Sequence, residues 1–311
     1  MRKTVYIFLL LIWPLLNKAQ NSCLPDYGLP VKMINISGKQ LAYVEKGKGK
    51  NIILIHGLGG NISHWTNNIE PLAMSFHCIA LDLPGYGYSN KNIDTANRDL
   101  LGFYANVVLE FIQKKSVKDV TLVGHSMGGQ IAMIAALKDQ SKVKHLVLVS
   151  PAGLETFTAQ EAQLLTSTTP PSVFEKQDEA AIRASFKRNF LNDVPEKLVQ
   201  ERLKFKTCKD FSNYAMTVSK GVQGMLRHPI TDQLKNIKQD VLIIYGNEDA
   251  LIPNKYLHPS LSLSDVVKNG TDNIPVSKSF LINNAGHLVQ YEQPGELNKA
   301  IINFVNNTYI K

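Results

Sequence analysis

The sequence predicts an α/β fold: a mostly parallel central sheet flanked by helices and interrupted by a helical insertion. Three observations carry this reading. Short apolar, β-branched runs alternate with longer amphipathic stretches as far as Pro151, as buried parallel strands and their crossover helices do. The alternation stops after Pro151 and resumes at Asp240. Before Pro151, the run Val120 to Val123 enters Gly124-His125-Ser126-Met127-Gly128 and then the apolar stretch Gln130 to Leu137, a strand, turn and helix in immediate succession.

Taken in order, the chain opens with Arg2 and Lys3, an apolar run from Val5 to Leu16, and Asn17-Lys18-Ala19-Gln20. A basic start, an apolar core of this length and a small residue before the cut read as a signal peptide over residues 1–19, cleaved after Ala19. The run is short for a spanning helix, and an uncleaved N-terminal anchor is the rival reading. Gln40 to Glu45 alternates as an early strand, Gly47 to Lys50 turns, and Asn51 to Ile55 is a buried strand ending at His56-Gly57-Leu58-Gly59-Gly60. A helix follows over about Ile62 to Met74, then the strand His77 to Leu81, then Asp82-Leu83-Pro84-Gly85-Tyr86-Gly87-Tyr88-Ser89. Thr95 is placed to cap a helix reaching about Gln113, with Leu100, Phe103, Val107, Val108, Phe111 and Ile112 on its apolar side. After the junction at Ser126 comes the strand Val143 to Val149.

Residues 152–228 contain no convincing buried strand. They read as a helical cap with pieces near 173–188, 195–206 and 211–226, separated by Pro170-Pro171 and Pro195. Residues 20–151 then form the first part of the core and 229–311 the second. The second part holds the strands Asp240 to Tyr245 and Ser279 to Asn283 and a last helix near 295–306. Residues 258–278, rich in Ser, Asn and Gly, read as a long excursion able to contribute to the rim of a site.

The two glycines around Ser126 have a mechanical reason. A strand that turns at once into a helix holds the serine in a strained conformation, and side chains at 124 and 128 would meet neighbouring backbone. The turn lifts the hydroxyl above the sheet, beside a helix N-terminus that favours negative charge. A serine is a weak nucleophile without a base in reach and a third group to orient that base. Later strand ends offer both: Gly246-Asn247-Glu248-Asp249 after one strand, and Asn284-Ala285-Gly286-His287 after another. The order Ser126, Asp249, His287 places each group past the C-terminal end of a strand, where open α/β sheets gather their chemistry. Glu248 is the rival acid.

With these residues in place the sequence resembles the α/β-hydrolase superfamily over about residues 40–308. Five motifs in order carry the resemblance: His56 to Gly60, Asp82 to Ser89, Gly124 to Gly128, Asp249 with Pro253, and Gly286-His287 with Glu292-Gln293-Pro294. It implies an α/β-hydrolase fold with Ser126 as nucleophile, His287 as base and then acid, and Asp249 orienting the imidazole, the G-x-x-D spacing favouring Asp249 over Glu248. The backbone N–H groups of Leu58 and Met127 would form the oxyanion hole. Asp249 and His287 stand 38 residues apart, longer than the family leads one to expect, and the 258–278 excursion accounts for the length. His125 and His56 are expected to be structural, Asp82 to fix its Gly-rich turn, and Trp65 to be core, with Met225 or Leu226 facing the pocket.

The nucleophile narrows the chemistry. Epoxide hydrolases and haloalkane dehalogenases of this superfamily carry Asp where this chain has Ser126. Carbon–carbon bond hydrolases of aromatic degradation often show Asn before the serine, here His125, and prolyl aminopeptidases usually show Trp after it, here Met127. The chain looks similar to lipases and monoacylglycerol-lipase-like esterases with a small helical cap, which implies a small-molecule acyl ester as substrate and neither metal nor organic cofactor. A carbon–carbon bond hydrolase or lactonase on the same triad, a cofactor-free haloperoxidase side activity, and a non-catalytic binding protein of this fold are the alternatives.

Composition adds bounds. The formal charge is +8, and losing the three basic residues of 1–19 leaves +5. This excess is scattered lysine with no basic stripe, which argues against nucleic acid and leaves room for contact with an anionic lipid surface. Cys23, Cys78 and Cys208 are too few and too far apart for a disulfide scaffold or a zinc site. Cys78 sits in an apolar run as a core residue, and a Cys23–Cys208 disulfide stays open in an exported chain. Sequons at Asn35, Asn61, Asn269 and Asn306 matter only in a glycosylating host. Oligomeric state has no signal.

Overall fold

The computed structural model describes residues 23–94 and 99–307. The expected signal peptide at 1–19 and the expected cap residue Thr95 lie outside the described residues.

Eight strands form one sheet: β1 Lys32–Ile36, β2 Lys39–Lys46, β3 Lys50–Ile55, β4 Phe76–Asp82, β5 Val120–His125, β6 Val143–Val149, β7 Asp240–Gly246 and β8 Ser277–Ile282. Their spatial order is 1-2-4-3-5-6-7-8. β1 pairs with β2, and β2 with β4, antiparallel; every other pair is parallel. The sheet is therefore the mostly parallel one that the alternating apolar runs call for.

The period of two along each strand sorts side chains between two cores. Ile53, Ile55, Leu122, Leu146 and Ile243 point to one face, where helices α2 (Leu100–Lys114) and α3 (Met127–Lys138) lay Leu101, Val108, Ile131 and Ala135 against them. Ile52, Leu54, Val123, Val147 and Ile244 point to the other, against Trp65, Ile69, Leu297 and Ile301. Those residues belong to the 3-10 turn Ile62–Trp65 and α1 (Thr66–Ala73), and, near the C-terminus, to α10 (Pro294–Val305). Each such aliphatic side chain contributes about 1.5–3 kcal/mol by leaving water. Central strands buried on both faces have no polar period to show, so they read as continuous runs.

Five helices lie between β6 and β7: α4 Ala159–Ser167, α5 Pro171–Glu175, α6 Glu179–Lys187, α7 Glu196–Phe205 and α8 Phe211–Arg227. Ile182, Phe186, Phe190, Leu198 and Val199 make a small core of their own, closed by Leu288 from the loop after β8. α8 also packs against α2 and α3, so this layer is fastened to the sheet domain.

Several expectations need correction. The helix expected over 62–74 begins as a 3-10 turn, with Asn61 capping it through Ser63 N–H. Asp99 caps α2, accepting from Gly102 N–H at 2.9 Å. The piece expected near 173–188 is two helices, α5 and α6, divided at Lys176 to Asp178. Residues 258–278 are no loose excursion: α9 (Leu263–Asn273) opens on a Ser262–Asp265 capping box and buries Val266, Val267 and Gly270 as the crossover into β8. β1 and α4 are additions. A disulfide joins Cys23 to Cys208, between α7 and α8, and Cys78 is a buried free thiol.

Candidate active site

The site is built at the C-terminal ends of β3, β5, β7 and β8. β5 ends at His125 and α3 begins at Met127, leaving Ser126 at φ +52°, ψ −119°. That conformation is costly for a residue with a side chain and persists only where its surroundings over-determine it. Here Ser126 N–H donates to Val149 O at 2.9 Å, and its carbonyl accepts from Gly129 and Ala152 N–H at 2.9 and 3.1 Å. A Cβ on Gly124 would stand 2.3 Å from Gly128 O, and one on Gly128 would stand 2.4 Å from Ile55 O. Both glycines are thus required by the close approach of strand, turn and helix.

His287 and Asp249 form a buried pair. Imidazole Nδ1–H donates to Asp249 Oδ2 at 2.8 Å, and the two side chains are 4% and 0% exposed. The other carboxylate oxygen accepts from Leu251 and Ile252 N–H at 2.9 and 3.1 Å. The aspartate is therefore fixed from both sides, and the imidazole is held in the tautomer that leaves Nε2 as an acceptor. Glu248 is exposed, with its backbone N–H tied to Ala285 O. Ser126, His287 and Leu58 line one cavity of about 530 Å³. Among the described residues, neither Leu58 N–H nor Met127 N–H has a partner, and Met127 N–H is the first of α3. Two unpaired donors and a helix N-terminus beside a serine hydroxyl can stabilise an oxyanion.

Two other histidines near the site, His56 and His125, are scaffolding. His56 donates from Nδ1 to Gly57 O at 2.8 Å and accepts Leu83 N–H on Nε2 at 3.1 Å. Burial pushes it down to about 4, so it stays neutral. His125 donates from Nε2 to the His287 carbonyl at 3.0 Å, and burial, then the neighbouring His287, hold it well below the usual histidine range. His64 lines the cavity and is pushed down to about 3, first by its burial and further by the Arg202 charge nearby. Asp82 fixes its loop: it accepts from Tyr27 Oη, Ile62 N–H and Tyr88 N–H at 2.9, 2.9 and 2.7 Å. Trp65 is core, while Met225 and Leu226 both face the cavity.

The cavity runs under the cap. Its apolar wall includes Leu165, Phe174, Val218, Val222 and Ile252, and polar groups such as Asn189 and Gln177 stand among them. None of residues 258–278 lines it, which corrects the expectation that they form its rim; instead His258 braces the rim from behind. His258 Nδ1 lies 2.5 Å from Glu155, which does line the cavity, and Nε2 lies 3.3 Å from Glu161. Glu292 joins the two halves of the site, accepting from Gly286 N–H at 2.7 Å and from Leu191 and Asn192 N–H at 3.0 Å. Arg202 and Tyr214, from α7 and α8, both donate to Gly59 O. These cap-to-core bonds join positions about a hundred residues or more apart, and no short-range pattern announces them.

The alpha/beta hydrolase fold family model matches residues 50–294. A 2-hydroxymuconate semialdehyde hydrolase of a Pseudomonas species is 28% identical over 93% of this chain and 97% of its own. A monoacylglycerol lipase of Homo sapiens is 25% identical over 91% of this chain and 84% of its own. Among solved structures, a probable hydrolytic enzyme from Pseudomonas aeruginosa superimposes with a TM-score of 0.77 at 22% identity, covering 89% of this chain and 95% of that one. With the family match spanning most of the sheet, the cap and the residues of the cavity floor, the chain belongs to the α/β-hydrolase fold family.

Proposed function

We propose that this chain is an exported serine hydrolase that cleaves carboxylic esters. The observation that carries the reading is the buried Asp249–His287 pair, which opens on the same cavity as Ser126 beside two unpaired N–H donors. Ser126 Oγ attacks the acyl carbon while His287 Nε2 takes its proton. Asp249 stabilises the imidazolium. Leu58 and Met127 N–H bind the oxyanion, and the imidazolium returns the proton to the leaving alcohol. Water then hydrolyses the acyl-enzyme by the same route. The mostly apolar cavity wall and the likeness to a monoacylglycerol lipase support an acyl ester substrate met at a lipid surface.

The Cys23–Cys208 disulfide supports export, because such bonds persist in oxidising compartments. Cleavage after Ala19 would leave Cys23 in the mature chain. N-terminal sequencing of the exported protein tests this, and a chain beginning at Met1 would replace the signal peptide with an anchor.

Hydrolysis of a graded p-nitrophenyl acyl ester series tests the activity. Turnover that disappears in Ser126→Ala, with the fold retained by circular dichroism, is the expected result, and an active Ser126→Ala variant overturns the assignment. Carbon–carbon bond hydrolysis on the same residues is the second reading, favoured by the 28% identical 2-hydroxymuconate semialdehyde hydrolase. Serine-dependent cleavage of a ring-opened dienoic acid, with every ester inert, would select it.

A further inference from the structure

We propose that Arg202 and Tyr214 of the cap are positioning residues for the oxyanion hole, clamping the turn that carries Leu58. This rests on the serine hydrolase reading above. Residues 57–60 form a tight turn closed by Gly60 N–H to Gly57 O at 3.1 Å, with Gly59 at φ +70°. The orientation of Leu58 N–H follows from where this turn sits. One carbonyl of the turn, Gly59 O, accepts two hydrogen bonds, from Arg202 Nη2 at 2.5 Å and from Tyr214 Oη at 2.9 Å. The donors come from two different cap helices, α7 and α8, and reach across 143 and 155 residues of sequence. Both are pre-set. The guanidinium lies 5.0 Å over the Tyr214 ring and 5.7 Å over the Phe186 ring, and Tyr214 is edge-on to Tyr86 and Phe205. A rigid charged donor gives a strong bond with little ordering cost. The cap therefore does more than cover the cavity, because it fixes one of the two donors to the developing negative charge.

A displacement of this turn by a fraction of an ångström weakens a contact made fully only in the transition state, so the loss falls on kcat. Arg202→Met is expected to lower kcat about 10- to 100-fold with KM changed less than threefold. Arg202→Lys should recover part of the loss, and Tyr214→Phe should cost about 3- to 10-fold. An alkylboronic acid, which forms a tetrahedral adduct on Ser126, should lose affinity in proportion to kcat/KM across these variants. Labelling of Ser126 by a fluorophosphonate should slow in step; the Oγ–P bond forms through a five-coordinate phosphorus whose phosphoryl oxygen gains negative charge, fluoride leaves, and no correct substrate is needed. Melting curves exclude variants that no longer fold. A loss confined to KM, or unchanged labelling and boronate affinity in folded Arg202→Met and Tyr214→Phe, would overturn the clamp and leave the serine hydrolase standing. A wild type that neither labels nor binds the boronate would overturn the serine hydrolase reading itself, and the clamp with it.

Discussion

Ser126 holds its strained backbone because every neighbour resists relaxation, and the resistance is steric as much as hydrogen-bonded. Gly124→Ala is expected to destabilise the protein by about 2–4 kcal/mol, since its Cβ would meet the Gly128 carbonyl at 2.3 Å and backbone cannot rotate aside. Denaturant titration would measure this, and a loss under 1 kcal/mol would show that the elbow can relax. Asp249 and Glu248 give a paired prediction. Asp249→Asn keeps the shape but presents the wrong group to imidazole Nδ1, and should lower kcat on the order of 10³- to 10⁴-fold. Glu248→Gln, at an exposed position, should change it less than threefold. The reverse ranking in ester kinetics would transfer the role to Glu248. Both glycines were legible in the sequence because they are a matter of local spacing, and the Asp249–His287 pairing because each residue stands just past the end of an apolar strand. The contact of Arg202 with Gly59 was not, because an arginine in a polar stretch of helix, with no acidic residue three or four positions away, looks like a solvated charge until the cap folds over the turn.

At the scale of elements, legibility tracked how much apolar surface each one buries. β3, β5, β6 and β7 lose nearly all of theirs and stand out as runs of Ile, Leu and Val. β1 buries only Ile36 and α4 buries none of its residues, so neither leaves a pattern to read. α9 was legible in principle: Ser262 and Asp265 are spaced as a capping box, yet its many small polar residues read as loop. Charge adds to the antiparallel ladder that holds the weak edge strand. Glu45 on β2 meets Lys32 of β1 and Lys115 just past α2, each at 2.9 Å, and His77 of β4 at 3.1 Å. Partial burial raises the Glu45 carboxyl, but hydrogen bonds and charge from Lys32 and Lys115 outweigh it and hold it at about 2. A folded value below the unfolded one, about 4.3 for glutamate, stabilises the fold above pH 4.3, and this contribution is lost as pH falls toward 2. Glu45→Gln should therefore cost about 1–2 kcal/mol at pH 7. Its deficit relative to wild type should shrink between pH 4.3 and 2. A deficit independent of pH would mean that Glu45 acts through packing rather than charge.

The whole molecule is a sheet domain carrying a helical layer on the C-terminal ends of its strands, and the site exists only where the two meet. Glu292 ties the His287 loop to the cap, Arg202 and Tyr214 tie the 57–60 turn to it, and His258 with Glu155 braces the rim. The Cys23–Cys208 bond belongs to the same set: it fastens the start of the described chain to the corner between α7 and α8, beside the helices that bear the clamp. Its sequence separation is 185 residues, so in a chain-entropy account closing that loop removes roughly 5 kcal/mol of freedom from the unfolded state, an upper figure since long denatured loops keep residual structure. Cys23→Ser should lower the melting temperature by several degrees. Reductant should bring the wild type to the same value and leave the variant unmoved, because Cys78 is buried and its thiol is pushed up by that burial. If the bond only resists unfolding, kcat of the folded variant at 25 °C stays at the wild-type level. If it also seats the cap, kcat falls in the pattern expected for Arg202→Met while the native circular dichroism spectrum persists. Ester kinetics at a temperature well below both melting transitions separates these outcomes, and an unchanged melting temperature would show that the Cys23–Cys208 bond does not hold the layers together.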